Sequence, residues 1–265
     1  MAPPVRRIAL VDSGLGLIGY AAALLEMRPD LSLVVSMDPD HMPYGPRSPD
    51  EVRALVLEAA RATLPYRPDA IVVACNTASV HGLEWLRSEF EPSIPVIGTV
   101  PAIRPAALAG GPVAVWATAA TAASDYLRGL VDAFAADIET HTVAASGLAE
   151  AIDAADLGRI DVCIEAAAAQ TPNGIRGLVL GCTHYGLVAD RIAAAVGPAV
   201  TIFDSPVAVA RQTLRRVGLD PDDPGAPMRD SVPALEAVLL SGRAGELPAT
   251  LAAYPAGAAL LTPPL

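Results

Sequence analysis

Residues 70–79, AIVVACNTAS, and residues 177–186, GLVLGCTHYG, carry one pattern twice: an apolar run, a cysteine, then small hydroxyl or amide residues. Short continuous apolar runs bounded by turn residues read as buried strands of a parallel sheet. Polar clusters directly behind such runs mark the carboxyl ends of strands leading into helices. Working outward, further strands are expected at 7–12 (RIALVD), 32–37 (SLVVSM) and 95–99 (PVIGT), and in a second series at 112–117 (PVAVWA), 138–143 (IETHTV) and 200–204 (VTIFD). Between them GYAAALLEM, PDEVRALVLEAARATL, SDYLRGLVDAF and ADRIAAAV read as amphipathic helices, several opening on a Ser, Asp or Pro suited to a cap or first turn. The two series are alike. The expected fold is therefore α/β, with two similar lobes, each a mostly parallel sheet flanked by helices, and the active site in the cleft between them. Pro and Gly cluster between residues 99 and 111, which places a joint there; the expected domains are 1–98 completed by 208–265, and 99–207. The chain's end, with PDDPGAP at 221–227 and TPPL at 262–265, reads as a surface segment, a short helix and a loose tail.

Composition narrows the chemistry. Hydrophobic residues make up 52% of the chain and aromatics 4%, so the interior is built mainly from Ala, Val, Leu and Ile. A formal net charge of −11 argues against nucleic acid or an anionic membrane surface as primary partner. The N-terminal apolar run is broken by Asp12, too early for a signal peptide, and no run approaches the length of a membrane span. Three cysteines at wide spacing fit a reducing compartment, so a cytoplasmic protein is expected. All 18 basic residues are arginine. Without lysine, pyridoxal phosphate, Schiff-base and P-loop chemistries are excluded.

In open α/β sheets, ligands sit beyond the carboxyl ends of strands, where helix N-termini present free N–H groups. VDSG at 11–14, ACNTAS at 74–79, WATAAT at 116–121 and GCTHYG at 181–186 all fall at such ends. If the lobes face one another, Cys75 and Cys182 project from opposite walls of one cleft. Two bases flanking one carbon are what stereochemical inversion requires, one removing a proton while the conjugate acid of the other delivers a proton to the opposite face. Thiols suit the task because a helix N-terminus favours the thiolate. The pair points to a racemase that uses no cofactor and no metal.

VDSGLG, PYGPRS at 43–48, VVACNTAS, VIGTVPAIRPAA, ATAATAASDY at 117–126 and LGCTHYGL together resemble the glutamate racemases of the aspartate/glutamate racemase superfamily, over nearly all of residues 7–215. The resemblance implies a two-lobed α/β enzyme that interconverts L- and D-glutamate and supplies D-glutamate for peptidoglycan. It implies that Cys75 deprotonates the D-enantiomer and Cys182 the L-enantiomer, with Asp12 and His184 assisting the thiols and Glu150, in SGLAEAID, as a further carboxylate. It also implies that Asp12, Ser13, Tyr44, Gly45, Asn76, Thr77, Thr121, Thr183 and His184 hold the substrate. Neutral donors and helix N–H groups can bind two carboxylates without a buried arginine, and an acidic residue can meet the ammonium group. Exclusion of water by lobe closure is expected to accompany binding. The chain departs from the family pattern at Leu17, where a second glycine after Gly16 is usual, and at Gly186, where a proline usually follows Tyr185.

Rival readings have thinner support. Gly14, Gly16 and Gly19 satisfy G-x-G-x-x-G, with Asp38 near the spacing of a ribose-binding carboxylate, but an ionised Asp12 would face a pyrophosphate unfavourably. Cys182 and His184 could chelate a metal, yet the other histidines, 41, 81 and 141, add no second ligand cluster. Cys163, within helical DVCIEAAAA, reads as packing. An aspartate or hydantoin racemase and a non-catalytic amino-acid sensor remain alternatives, the latter disfavoured because binding alone needs no opposed bases. A homodimer is expected.

Overall fold

The computed structural model describes residues 5–223 and 234–261. Most of PDDPGAP and all of TPPL lie outside the described residues. Contacts divide the chain into two compact units, residues 1–99 with 206–265, and residues 100–205.

The first unit contains β1 (Arg7–Asp12), α1 (Leu17–Met27), β2 (Ser32–Met37), α2 (Pro49–Arg61), β3 (Ala70–Val73), α3 (Asn76–Phe90) and β4 (Val96–Gly98). The second contains α4 (Ile103–Ala109), β5 (Val113–Ala117), α5 (Ala119–Ala122), α6 (Asp125–Phe134), β6 (Thr140–Ala144), α7 (Leu148–Asp153), α8 (Leu157–Gln170), β7 (Gly177–Leu180), α9 (Ala189–Val196) and β8 (Thr201–Phe203). The chain then returns to the first unit with α10 (Pro206–Arg216), β9 (Leu235–Leu240), β10 (Arg243–Gly245) and α11 (Pro255–Leu261).

The first sheet runs β10-β9-β2-β1-β3-β4 and the second β6-β5-β7-β8. Every pairing is parallel except β9 with β10. Strands β2 and β3 are buried at every residue and β1 at all but Arg7, as central strands with both faces covered must be. That burial is why they read as unbroken apolar runs. On one side α2 packs against α3, and α1 packs against α10 and α11. The α2–α3 approach is close enough to need Gly82, since a Cβ there would stand 2.5 Å from Val56 Cγ1. Helix α2 starts on a reciprocal cap, Ser48 accepting from the Glu51 N–H while the Glu51 carboxylate accepts from the Ser48 N–H.

One expectation is corrected here. The segment after 234 is not only a surface stretch with a short helix: β9 pairs in parallel with β2, from Leu33↔Leu235 to Met37↔Leu240, and β10 turns back against β9. Its irregular burial, with only Val238 and Leu239 fully enclosed, reflects a position near the sheet edge, and gives the sequence little periodicity to read.

Candidate active site

In the first unit the candidate residues gather beyond the carboxyl ends of β2, β1 and β3, which are adjacent in the sheet. Asp12 ends β1 and is fully buried, and its Oδ1 accepts from the Ser13 N–H at 2.6 Å. Ser13 Oγ lies 3.9 Å from Cys75 Sγ. Cys75 is the residue before α3, in extended conformation, so its side chain stands at the mouth of that helix with Asn76 and Thr77 in the first turn. It is buried, as are Asn76 and Ser13, while Thr77 is half-buried. Tyr44 and Gly45 lie in the loop that follows β2. Tyr44 belongs to the same apolar cluster as Cys75, Val73 and Ala78, and its hydroxyl donates to Asp38 Oδ2 at 2.8 Å. Burial first, then the Asp38 carboxylate and that hydrogen bond, push the phenol's pKa well above its ordinary value. The hydroxyl is thus a committed donor to Asp38, and the Tyr44 carbonyl accepts from the Arg47 N–H at 3.1 Å.

The second unit repeats the arrangement beyond β5, β6 and β7, again neighbours in their sheet. Cys182 is the residue before a 3₁₀ turn, Thr183–Val188, and adopts the same extended conformation as Cys75. Its Sγ lies 3.9 Å from His184 Nδ1, and the other ring nitrogen, Nε2, stands 3.3 Å from Asp153 Oδ1. His184 is buried, whereas Cys182 and Thr183 are half-buried. Thr121 lies in α5, its N–H accepted by the capping Thr118 hydroxyl, which itself donates to Thr121 Oγ1 at 3.0 Å. Tyr185 is enclosed, donating to the Ala145 carbonyl at 3.2 Å. Its ionisation is disfavoured by burial and by Cys182, Glu150 and Cys163 nearby.

Two carboxylates of α7 lie in this region. Glu150 is exposed in the first turn of α7, and the carboxylate that meets His184 is Asp153, three residues on. Both stand in SGLAEAID, and each follows a pair of buried residues, Leu148 and Ala149 before Glu150 and Ala151 and Ile152 before Asp153, so only the contact with His184 tells them apart. Cys163 is half-buried rather than fully in the core, its Sγ 3.6 Å from where a Cβ on Gly147 would stand.

The departures at Leu17 and Gly186 have simple placements. Leu17 is fully buried at the start of α1, so its side chain belongs to the core. A Cβ on Gly186 would meet nothing within 4 Å. The dinucleotide reading fails on position: Gly19 lies inside α1, its would-be Cβ meeting only Pro206 at 3.7 Å, so it serves no close helix–strand approach. Asp38 is occupied by Tyr44, His41 and Ser241. Among the described residues no three His, Cys, Asp or Glu side chains form a group able to hold a metal ion, and no helix is long and apolar enough to cross a membrane.

Comparison with known proteins gives this geometry its relatives. Residues 19–213 match the family model described as Asp/Glu/Hydantoin racemase. The chain is 37% identical over 216 residues to a glutamate racemase of Pseudomonas entomophila, covering 80% of this chain and 81% of that one. It is 36% identical over 215 residues to one of Clostridium perfringens, covering 79% and 82%. Its fold superposes on the crystal structure of Escherichia coli glutamate racemase, in complex with L-glutamate and the activator UDP-MurNAc-ala, with a TM-score of 0.75 and 27% identity over 97% of this chain and 93% of that one. With two strand-end cysteines, each beside a polar partner, inside the matched span, the chain belongs to the Asp/Glu/Hydantoin racemase family.

Proposed function

We propose that this racemase interconverts L- and D-glutamate by a two-thiol mechanism, without cofactor or metal, as a cytoplasmic supplier of D-glutamate for peptidoglycan. The observation that carries the reading is the repeated strand end. Cys75 and Cys182 occupy the same backbone position, one residue before a helical segment, with near-identical extended conformations. One duplicated cysteine could be packing; two, each with its own polar partner, fit a pair of proton-transfer groups. The names of the relatives, and the L-glutamate in the E. coli complex, favour glutamate among acidic amino acids.

In this mechanism the Cys75 thiolate takes the Cα proton of D-glutamate and the Cys182 thiol gives its proton to the opposite face; L-glutamate reacts in the reverse sense. Each turnover leaves the two thiols with exchanged protonation. On the Cys75 side, Asp12 holds Ser13 by its N–H, and Ser13 stands beside the sulfur. On the Cys182 side, His184 stands between the sulfur and Asp153, one ring nitrogen facing each, placed to take and return the thiol's proton. Asn76, Thr77, Thr121 and Thr183, with helix N–H groups, provide neutral donors for the two carboxylates.

The test is proton exchange in deuterated water with chelator present, L- and D-glutamate being supplied separately and followed by NMR and chiral chromatography. Loss of the Cα–H signal with appearance of the opposite enantiomer is the expected result. A folded protein that exchanges neither enantiomer sinks the reading, and aspartate and hydantoins become the next substrates to try.

The two carboxylates of α7 separate in the same assay. Asp153→Asn removes a charge-assisted hydrogen bond to His184 and is expected to lower kcat by about 10-fold, the order of magnitude of such a bond. Glu150→Gln, on an exposed side chain, is expected to stay within about twofold of wild type. Equal losses in both variants would remove the role given to Asp153.

A further inference from the structure

Strands β9 and β10 are joined by a tight turn. Ser241 and Gly242 are its two central residues, with Leu240 paired to Arg243, and both have positive φ, 47° and 76°. A two-residue hairpin of this kind prefers Asn or Gly at its first central position, and serine is uncommon there. The turn alone gives no reason for Ser241. Its hydroxyl does: Oγ donates to Asp38 Oδ1 at 2.7 Å and accepts from the Asp40 N–H at 3.2 Å.

Asp38 is the hub. Its buried carboxylate takes Ser241 Oγ on Oδ1, the Tyr44 hydroxyl on Oδ2 at 2.8 Å, and His41 Nδ1 at 2.9 and 3.1 Å on the two oxygens. The Ser241 N–H also donates to the Met37 carbonyl at 2.7 Å, and Arg243 pairs with Asp40 at 2.6 Å. The hairpin turn thereby grips both ends of the segment 37–40, immediately before the corner carrying Tyr44 and Gly45. From Tyr44 the connection passes into the apolar cluster that encloses Cys75.

We propose that Ser241 is a positioning residue for substrate binding: through Asp38 it fixes the Tyr44 hydroxyl, and so sets the backbone of Tyr44 and Gly45 and the shielding of Cys75. A static carboxylate needs its donors in place, because a buried acceptor that loses one must rotate or admit water. Without the Ser241 hydroxyl, Asp38 Oδ1 keeps only His41, whose side chain is 43% exposed. The proposal rests on the reading that Tyr44 and Gly45 bind the substrate.

The test is Ser241→Gly, a substitution the positive φ favours, so the hairpin is kept while the hydroxyl is lost. KM for both glutamate enantiomers is expected to rise about fivefold with kcat within about twofold, the net size of one ordinary hydrogen bond. In a Tyr44→Phe background the same substitution is expected to add nothing further, because the chain is already cut. A purely structural serine predicts unchanged KM and additive effects, and either result with normal wild-type turnover overturns the proposal while leaving the racemase reading intact. If wild type racemises no amino acid, the racemase reading fails, and alkylation of Cys75 by iodoacetamide, followed by peptide mass spectrometry, decides separately. Faster modification of Cys75 in Ser241→Gly supports the positioning role, and equal rates overturn it.

Discussion

Cys75→Ser is expected to lower kcat for racemisation by about 10²–10⁴-fold in both directions, the usual contribution of a positioned acid or base. Serine preserves shape and keeps a partner in Ser13, so unfolding by urea should move little from wild type. The more telling result concerns exchange. Cys182 is untouched in this variant, and its thiolate can still remove the Cα proton of L-glutamate, wash its own proton with solvent and return deuterium to the same face. L-Glutamate should therefore lose its Cα–H signal without any D-glutamate appearing, while D-glutamate, whose base is gone, should keep its signal. Cys182→Ser should show the mirror image. If either variant racemises at near-normal rate, the two-thiol scheme is wrong. Exchange confined to the other enantiomer in each variant would keep the scheme and reverse the assignment of the thiols.

Much of the architecture stands in the apolar runs. RIALVD, SLVVSM and AIVV are buried along nearly their whole length, so each reads as a continuous hydrophobic segment closed by a polar cluster. The same closure marks Asp12, Cys75 and Cys182 as strand-end residues, because the chain must turn there into a helix whose N–H groups lack partners. What escaped the sequence depends on contacts between distant residues. Strand β9 pairs with β2 across about two hundred residues and is only partly enclosed, so no local periodicity announces it. Asp153 differs from Glu150 by less than one helical turn, and only the buried imidazole it meets distinguishes them. Asp38 carried the spacing of a ribose-binding carboxylate, yet it is claimed by Tyr44, His41 and Ser241. The last of these lies 203 positions away, beyond any motif.

Gly181→Ala tests the physical basis of the Cys182 environment most severely. Gly181 follows β7 and donates its N–H to the Trp116 carbonyl at 2.7 Å. A Cβ built on it would stand 2.7 Å from that same oxygen, 3.2 Å from Ala117 Cβ and 3.3 Å from Val115 Cγ1. The nearest atom is backbone in the neighbouring strand β5, so no side-chain rotation relieves the clash. Either the β5–β7 pairing opens at its carboxyl end or the chain at 181 is displaced, and both carry Cys182 with them. The cost in stability is expected at about 1–3 kcal/mol, the range for overpacking an enclosed site. The cost in kcat is expected at about 10²-fold, because a displacement of about 1 Å at a proton-transfer group has that effect. The two readouts are separable: circular dichroism in urea reports the first, and racemisation under conditions where the variant remains folded reports the second. Gly186→Ala, where a Cβ meets nothing within 4 Å, is the matched control on the other side of the same cysteine and should change neither. A Gly181→Ala protein with wild-type turnover would mean that the thiol does not depend on the register of β7, which would remove strand-end positioning as the reason for the cysteine's place in the fold.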